Sequence, residues 1–233
     1  MERKHIHIMA IGAHIGDMEL TAGGVLAKHY LLGDKVTLVH LTAGEKGNPP
    51  TKTVDEYRTQ KIAEANKFAK MIGGEAIVLN YKDGELPDND TVRFEVCDII
   101  RKYKPDILIT HWKNSMHKDH ALTYKIVLDA QFYAGIKGFE REYPAHFAAG
   151  PYFAENWEDP YDFKPYVYVN ISEGYDLWMK ALKCHWFVTN STSFKYLEYY
   201  DALSRVRGLQ IRKERAEAFS VDPMAVRKVI DSF

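Results

Sequence analysis

The stretch Ile8-Met9-Ala10-Ile11-Gly12-Ala13-His14-Ile15-Gly16-Asp17-Met18-Glu19-Leu20 decides the reading of the fold. An apolar run reaches a glycine, passes a histidine and an aspartate, and continues as Leu20-Thr21-Ala22-Gly23-Gly24-Val25-Leu26-Ala27-Lys28. This predicts a buried first strand over about 5–11, a tight turn, and a helix over about 17–32. Asp17 then stands near the helix N-terminus, where a carboxylate interacts well with the helix dipole. In open α/β sheets ligands bind at the carboxyl ends of strands, so His14 and Asp17 fall where chemistry is expected.

Working outward, Gly33-Asp34 closes the helix, and a second strand covers 35–41. The segment 42–50, rich in Gly and Pro, reads as a lid or substrate loop at the same edge. A helix over about 53–72, a strand over 76–79, a helix over 90–103 and a strand over 106–110 follow. A helix over about 121–135 comes after His117-Lys118-Asp119-His120. Alternating strands and helices imply an α/β fold with a mainly parallel sheet, helices on its faces and right-handed crossovers. From about 138 to 165 the chain turns rich in Pro, Gly and aromatics, which predicts loops and short strands forming a cap within a single domain of residues 1–233. Beyond it lie an expected strand over 166–171, a helix over 173–186 capped by Ser172, and a helix over most of 194–218 with a break near Gly208.

A formal net charge of -1 gives no electrostatic case for nucleic acid or an anionic membrane. No uninterrupted apolar run of about 18 residues exists to span a bilayer, and Met1-Glu2-Arg3-Lys4-His5 leads into a strand without a signal-peptide apolar region. Cys97 and Cys184, both expected on helices, make neither a disulfide framework nor a paired-cysteine metal site. The expected setting is the cytoplasm. The 15 Tyr, 11 Phe and 4 Trp suit an aromatic cleft as well as core and subunit contacts, and a homo-oligomer is expected.

His14-x-x-Asp17 after the first strand and His117-x-x-His120 after the fourth would converge if both strands end at one edge. Two imidazoles and one carboxylate with open positions are a donor set for catalytic zinc. Mn²⁺, Fe²⁺ or Co²⁺ suits the same mixed nitrogen and oxygen set. The candidate ligands are therefore His14, Asp17 and His120. His117 is placed to act as general acid or to stabilise an oxyanion, and Asp119 to orient a ring N–H.

The motifs Gly12-Ala13-His14-x-x-Asp17-x-Glu19-Leu20-x-Ala22-Gly23-Gly24, Leu41-Thr42-x-Gly44-Glu45 and His117-x-Asp119-His120 resemble the LmbE-like, or PIG-L, N-acetylglucosamine deacetylases. Arg58, Tyr81-x-Asp83-Gly84-x-Leu86, His185 and Ala216-Glu217-Ala218-Phe219 add to the likeness. The resemblance implies a Rossmann-like fold and zinc-dependent hydrolysis of an N-acetylated amino sugar or its conjugate. It puts His14, Asp17 and His120 on the metal, His117 at the oxyanion, and Arg58, Glu45 and His185 around the substrate. It also implies a general-base aspartate where this chain has Gly16, and a proline where it has Ile15. Without that base, Glu19, Asp119, Glu45 or His117 is the expected substitute, and glycine is expected to open space beside the metal. The alternatives are a family member that binds metal and carbohydrate with little or no deacetylase activity, and one that binds no metal at all.

Overall fold

The computed structural model describes residues 3–225. Seven strands form one sheet: β1 (His7–Gly12), β2 (Lys35–Thr42), β3 (Glu75–Tyr81), β4 (Ile107–Thr110), β5 (Ala149–Ala154), β6 (Val167–Asn170) and β7 (Ala216–Ser220). Their spatial order is β3-β2-β1-β4-β5-β7-β6. The first five are mutually parallel, while β7 runs antiparallel to both β5 and β6. Eight α-helices accompany them among the described residues: α1 (Asp17–Thr21), α2 (Gly23–Leu31), α3 (Val54–Met71), α4 (Asp90–Tyr103), α5 (Lys118–Gly135), α6 (Tyr175–Leu182), α7 (Trp186–Asn190) and α8 (Tyr196–Gln210).

The first strand is buried along its whole length and feeds two cores by its period of two. Ile8 and Ala10 join Leu26, Phe68 and Trp178 on one face; Met9 and Ile11 join Val96, Ile100 and Ile126 on the other. Local chemistry sets the helix starts. Thr53 and Glu56 form a reciprocal capping box on α3, and the Asn89 side chain accepts the Val92 N–H at the start of α4.

Several boundaries differ from the sequence expectation. The expected helix over 17–32 is two helices broken at Ala22, because the N-terminus of α2 receives its own cap. The Glu217 carboxyl accepts the Gly24 and Val25 N–H groups, each at 2.8 Å. Gly23 lies directly under the Trp178 ring, where a Cβ would come within 2.4 Å of Nε1. The segment expected as one helix over 173–186 is α6 followed by α7. Gly174, not Ser172, caps α6, and Ser172 Oγ donates to Asn170 Oδ1 and accepts from the Arg215 N–H. Cys184 therefore sits in a turn between helices; both cysteines are free.

The helix expected over 194–218 stops at Gln210, where the chain folds back over Gly208 and the Lys213 N–H returns to the Gly208 carbonyl. Residues 216–220 form a strand. Ala216-Glu217-Ala218 has helical propensity, and pairing with two strands overrides it. The cap region contributes an inner strand, β5, despite its Gly150-Pro151 pair. A register shift opposite Ile107 and Ile109 of β4 accommodates the extra residue.

Asp34, just before β2, fastens the N-terminal edge. Its carboxylate accepts from Arg3 Nη1 at 2.9 Å, from the Ile6 N–H at 3.0 Å and from His29 Nδ1 at 2.6 Å. Burial works to raise its pKa, but Arg3, Ile6 and His29 outweigh that and hold it well below the usual carboxylate range. A depressed folded pKa gives stability above the unfolded value of about 3.9 that is lost as the pH falls further. Asp34→Asn is expected to lower stability at pH 7 by roughly 2 kcal/mol. In thermal unfolding followed by circular dichroism this is ~4–8 °C of Tm, and the gap from wild type narrows at pH 3.

Candidate metal centre and cleft

The order β3-β2-β1-β4-β5 reverses between β1 and β4, and the crevice outside such a reversal is where open α/β sheets bind ligands. The turn after β1 carries His14 and Asp17. The segment after β4 carries His111, Ser115, His117, Asp119 and His120. His120 stands in the first turn of α5, which begins at Lys118 rather than beyond His120, and His117 is its N-cap. The structure thus brings the two motifs together.

His14 Nδ1 lies 3.2 Å from His120 Nε2 and 3.3 Å from Asp17 Oδ2, and His120 Nε2 lies 3.5 Å from Asp17 Oδ2. Tetrahedral zinc with bonds of 2.0–2.1 Å spaces its ligands by about 3.3 Å, so the triangle fits a divalent ion. Donor atoms of His14, His117 and His120 also lie within 4.8 Å of one another, as do those of Asp17, His111 and His120 and those of His14, Asp83 and Asp119. His14 and His120 recur in these groups and form their centre.

The outward nitrogens of both imidazoles meet carboxylates, which fix ring orientation and raise ligand basicity. His14 Nε2 is 3.2 Å from Asp83 Oδ1 and 3.5 Å from Asp119 Oδ2. His120 Nδ1 is 3.3 Å from Ser115 Oγ, 3.6 Å from Glu158 and 3.7 Å from Asp159. The electrostatics follow. Burial opposes charge on His14 and His120, yet Asp17 and the outer carboxylates raise His14 well above its ordinary pKa and His120 to about 9. Against the burial penalty, His120 and His14 hold Asp17 well below the carboxylate range, and His111 and His120 hold Asp159 at about 2. A metal entering this triangle competes with protons for the same donors.

Two further contacts lock the turn. His111 Nε2 accepts the Ala13 N–H at 2.9 Å, and Asp17 Oδ2 accepts the His14 N–H at 2.7 Å. His117 Nδ1 accepts the Asp119 N–H at 3.3 Å, so its neutral ring carries the proton on Nε2. Burial, then the neighbouring His14 and His120, lower its pKa and favour that neutral form. A cleft of about 720 Å³ opens above these groups, with Tyr57, Trp157, Trp186, Phe187 and Tyr196 among its walls. Gly44, Lys46, Gly47, Pro49 and Pro50, from the segment expected as a lid, line one side.

Other expected site residues stand behind this surface. Glu19 is fully buried: its Oε2 accepts the Gly16 N–H at 3.0 Å, and its Oε1 is 3.5 Å from His40 Nε2. His185 is fully buried, 3.8 Å from Glu19 and from Glu64, and burial, with Lys61 and His40 nearby, lowers its pKa to about 3. Arg58 contacts Glu45 at 3.5 Å and donates to the Leu79 carbonyl; Glu45 Oε1 accepts the Asp83 N–H at 3.0 Å. Arg58 and Glu45 therefore brace the loop that presents Asp83 to His14, and none of these four residues lines the cleft.

The space expected beside Gly16 is not open. Gly16 has φ +111°, and a Cβ there would lie 2.5 Å from Cζ of Phe187, so an aromatic ring of α7 occupies the place. Sequence reasoning did not single out His111, Glu158, Asp159, Lys61 or Phe187. His111 had a usable signal, since it directly follows the strand run ending at Thr110. The others come from the cap and from helices without a motif.

Fold and cleft define an α/β protein with a His/Asp cluster able to hold a metal at its switch point. Residues 9–131 match the sequence profile of PIG-L, described as GlcNAc-PI de-N-acetylase, and the chain belongs to that family. It is 25% identical over 219 residues to a 4-oxalmesaconate hydratase of Pseudomonas putida, covering 88% of this chain and 81% of that protein. It is 27% identical over 185 residues to a diacetylchitobiose deacetylase of Thermococcus kodakarensis, covering 76% and 68%. The crystal structure of a 4-carboxy-2-hydroxymuconate hydratase from Pseudomonas putida superposes with a TM-score of 0.86 at 20% identity, covering 98% of this chain and 99% of that one.

Three outcomes are expected from this geometry. Asp17→Asn and His120→Ala should abolish retention of an added equivalent of Zn²⁺, read by elemental analysis. Asp159→Asn should keep the ion but bind it ~10–100-fold more weakly in a chelator competition. Gly16→Ala should lower stability by roughly 2–3 kcal/mol in chemical unfolding, from a left-handed backbone and the Phe187 contact together.

Proposed function

We propose that the protein is a zinc-dependent hydrolase that removes an acetyl group from an N-acetylated amino sugar or sugar conjugate. The observation that carries this is the spacing of His14, Asp17 and His120 beneath a cleft of sugar size. Zinc fits two imidazoles and a carboxylate in a tetrahedral set. When bound, the ion supplies Lewis acidity for an amide carbonyl and brings the pKa of water near 7.

The protein's own groups do the rest. His14 and His120 are held by Asp83, Asp119 and Asp159, and Asp119 is thereby a positioning residue. His117 lines the cleft with Nδ1 occupied by the Asp119 N–H, and its Nε2–H is the group assigned to stabilise the oxyanion of the tetrahedral intermediate. Glu19 holds the turn through the Gly16 N–H, with His185 packed behind it. Trp157, Trp186 and Tyr196 line the cleft and supply aromatic surface for a sugar ring. A cytoplasmic setting and a homo-oligomer belong to the same proposal: no described helix is long and apolar enough to cross a membrane, and Met116, Phe147 and Tyr161 leave apolar surface for a second copy.

Phe187 beside Gly16 favours a second reading. Amide hydrolysis must expel a poor leaving amine and gains much from a carboxylate base, which position 16 does not supply. Adding water to the double bond of a conjugated unsaturated acid takes one proton from water and gives one to carbon, and expels no amine that must be protonated to leave. That chemistry fits the hydratase relative that covers 88% of the chain.

The test is amine release from N-acetylglucosamine, diacetylchitobiose and N-acetylmuramic acid by the zinc-loaded protein, beside loss of conjugated-acid absorbance with 4-oxalmesaconate. Amine release that disappears with a chelator and returns with Zn²⁺ is expected; hydration alone would replace the first reading by the second. His117→Ala is expected to lower kcat by ~10²–10³ while leaving zinc content unchanged.

A further inference from the structure

Lys61 is the cleft group that neither the ligand set nor the turn supports account for. It projects from α3, is 6% exposed, and lines the cleft. Its ammonium lies 4.7 Å from the Phe187 ring centroid and 5.8 Å from that of Tyr57. It also comes within 3.0 Å of where a side chain at Gly44 would begin, next to the Cβ of His14. Among the described residues no carboxylate pairs with it. The acids around it are Asp17, Glu19, Glu64 and Asp83, and each has one oxygen engaged elsewhere. Asp17 accepts the His14 N–H, Glu19 the Gly16 N–H, Glu64 the Gln60 amide and Asp83 the Lys46 N–H.

An ammonium buried without a partner is costly, and burial lowers its pKa accordingly. Two aromatic rings flank this one in the wall of the cleft beside the His14 turn, leaving its head free to meet an anion. The ring of Phe187 fills the room a carboxylate at position 16 would take, so that position offers the lysine no acid, and the Asp17 and Glu19 carboxylates of the turn stand near it without an ion-pair contact. We infer that Lys61 binds an anionic substituent, carboxylate or phosphate, carried by the substrate close to the bond that reacts. The inference rests on the cleft being the substrate site and narrows the substrate class to acidic compounds.

The test compares neutral N-acetylglucosamine with N-acetylmuramic acid and N-acetylglucosamine 6-phosphate on the zinc-loaded protein, by amine release and by titration calorimetry. The wild type is expected to favour at least one acidic compound over the neutral one by ~10-fold or more; which one tells carboxylate from phosphate. In Lys61→Met the ratio is expected to fall to about one, and Lys61→Arg to keep part of it. Circular dichroism checks that Lys61→Met folds, with Lys61→Gln as the second neutral variant.

Equal handling of neutral and acidic compounds by the wild type overturns the inference. So does an equal loss for both in Lys61→Met, which marks a structural or transition-state role. Acid-selective binding that depends on Lys61 without amine release upholds the inference and removes the deacetylase reading. Amine release without acid preference does the reverse, and no binding by any compound removes both.

Discussion

The structure depends on the parallel register of β1 against β4. Ile8 stands opposite Ile107 and Ile11 opposite Thr110, so both strands end at one level. Thr110 Oγ1 donates to the Ile11 carbonyl at 2.8 Å and fastens that end. Because β2 and β3 lie to one side and β5 to the other, the connections leaving β1 and β4 part in opposite directions and leave a crevice between them. The His14 turn and the His117–His120 segment face each other only on that account. A slip of one residue would carry Ile8 and Ala10 into the core that now holds Met9 and Ile11, so the packing that stabilises the sheet also sets the donor spacing.

A short turn at a sheet edge would not hold three donors to within a few tenths of an ångström unaided. Here a layer of buried polar groups does so. Trp178 Nε1 donates to the Glu19 carbonyl at 2.7 Å while the Glu19 carboxyl takes the Gly16 N–H, so α6 grips the turn from below. The chain Arg58, Glu45, Asp83, His14 reaches from α3 to the ligand through successive polar contacts. These residues carry the sequence resemblance as visibly as the ligands do, yet they lie one step behind the cleft. Motif membership marks what the site needs, and orientation is part of that need.

The convergence of His14, Asp17 and His120 was legible because each half lies in one short segment at a predictable strand end. The five parallel strands were less evenly readable. β1 to β4 follow plain apolar runs, whereas β5 is interrupted by Gly150-Pro151 and enters the sheet through a register shift with β4. β7 was hidden for another reason: Ala-Glu-Ala reads as helix, and only long-range contacts satisfy the buried Glu217, from Gly24 and Val25. The same limit applies to Asp159 and Phe187. Each acts on a partner dozens of residues away, His120 in one case and Gly16 in the other, and no local period encodes such a pairing.

Gly16 and Phe187 are best understood as one feature. A carboxylate at position 16 would face the same space as the ring, and the two cannot coexist: the ring stands where the first side-chain atom would begin. With the ring in that place, the cleft floor carries no carboxylate at position 16. The ammonium of Lys61, from α3, lies over that ring, 4.7 Å from its centroid. Positive charge that the protein does not neutralise is stabilised most by a negative charge brought in from outside. On the proposed reading, a site with a ring there has less help for expelling an amine and more attraction for an acid, and both consequences arise from a single packing contact.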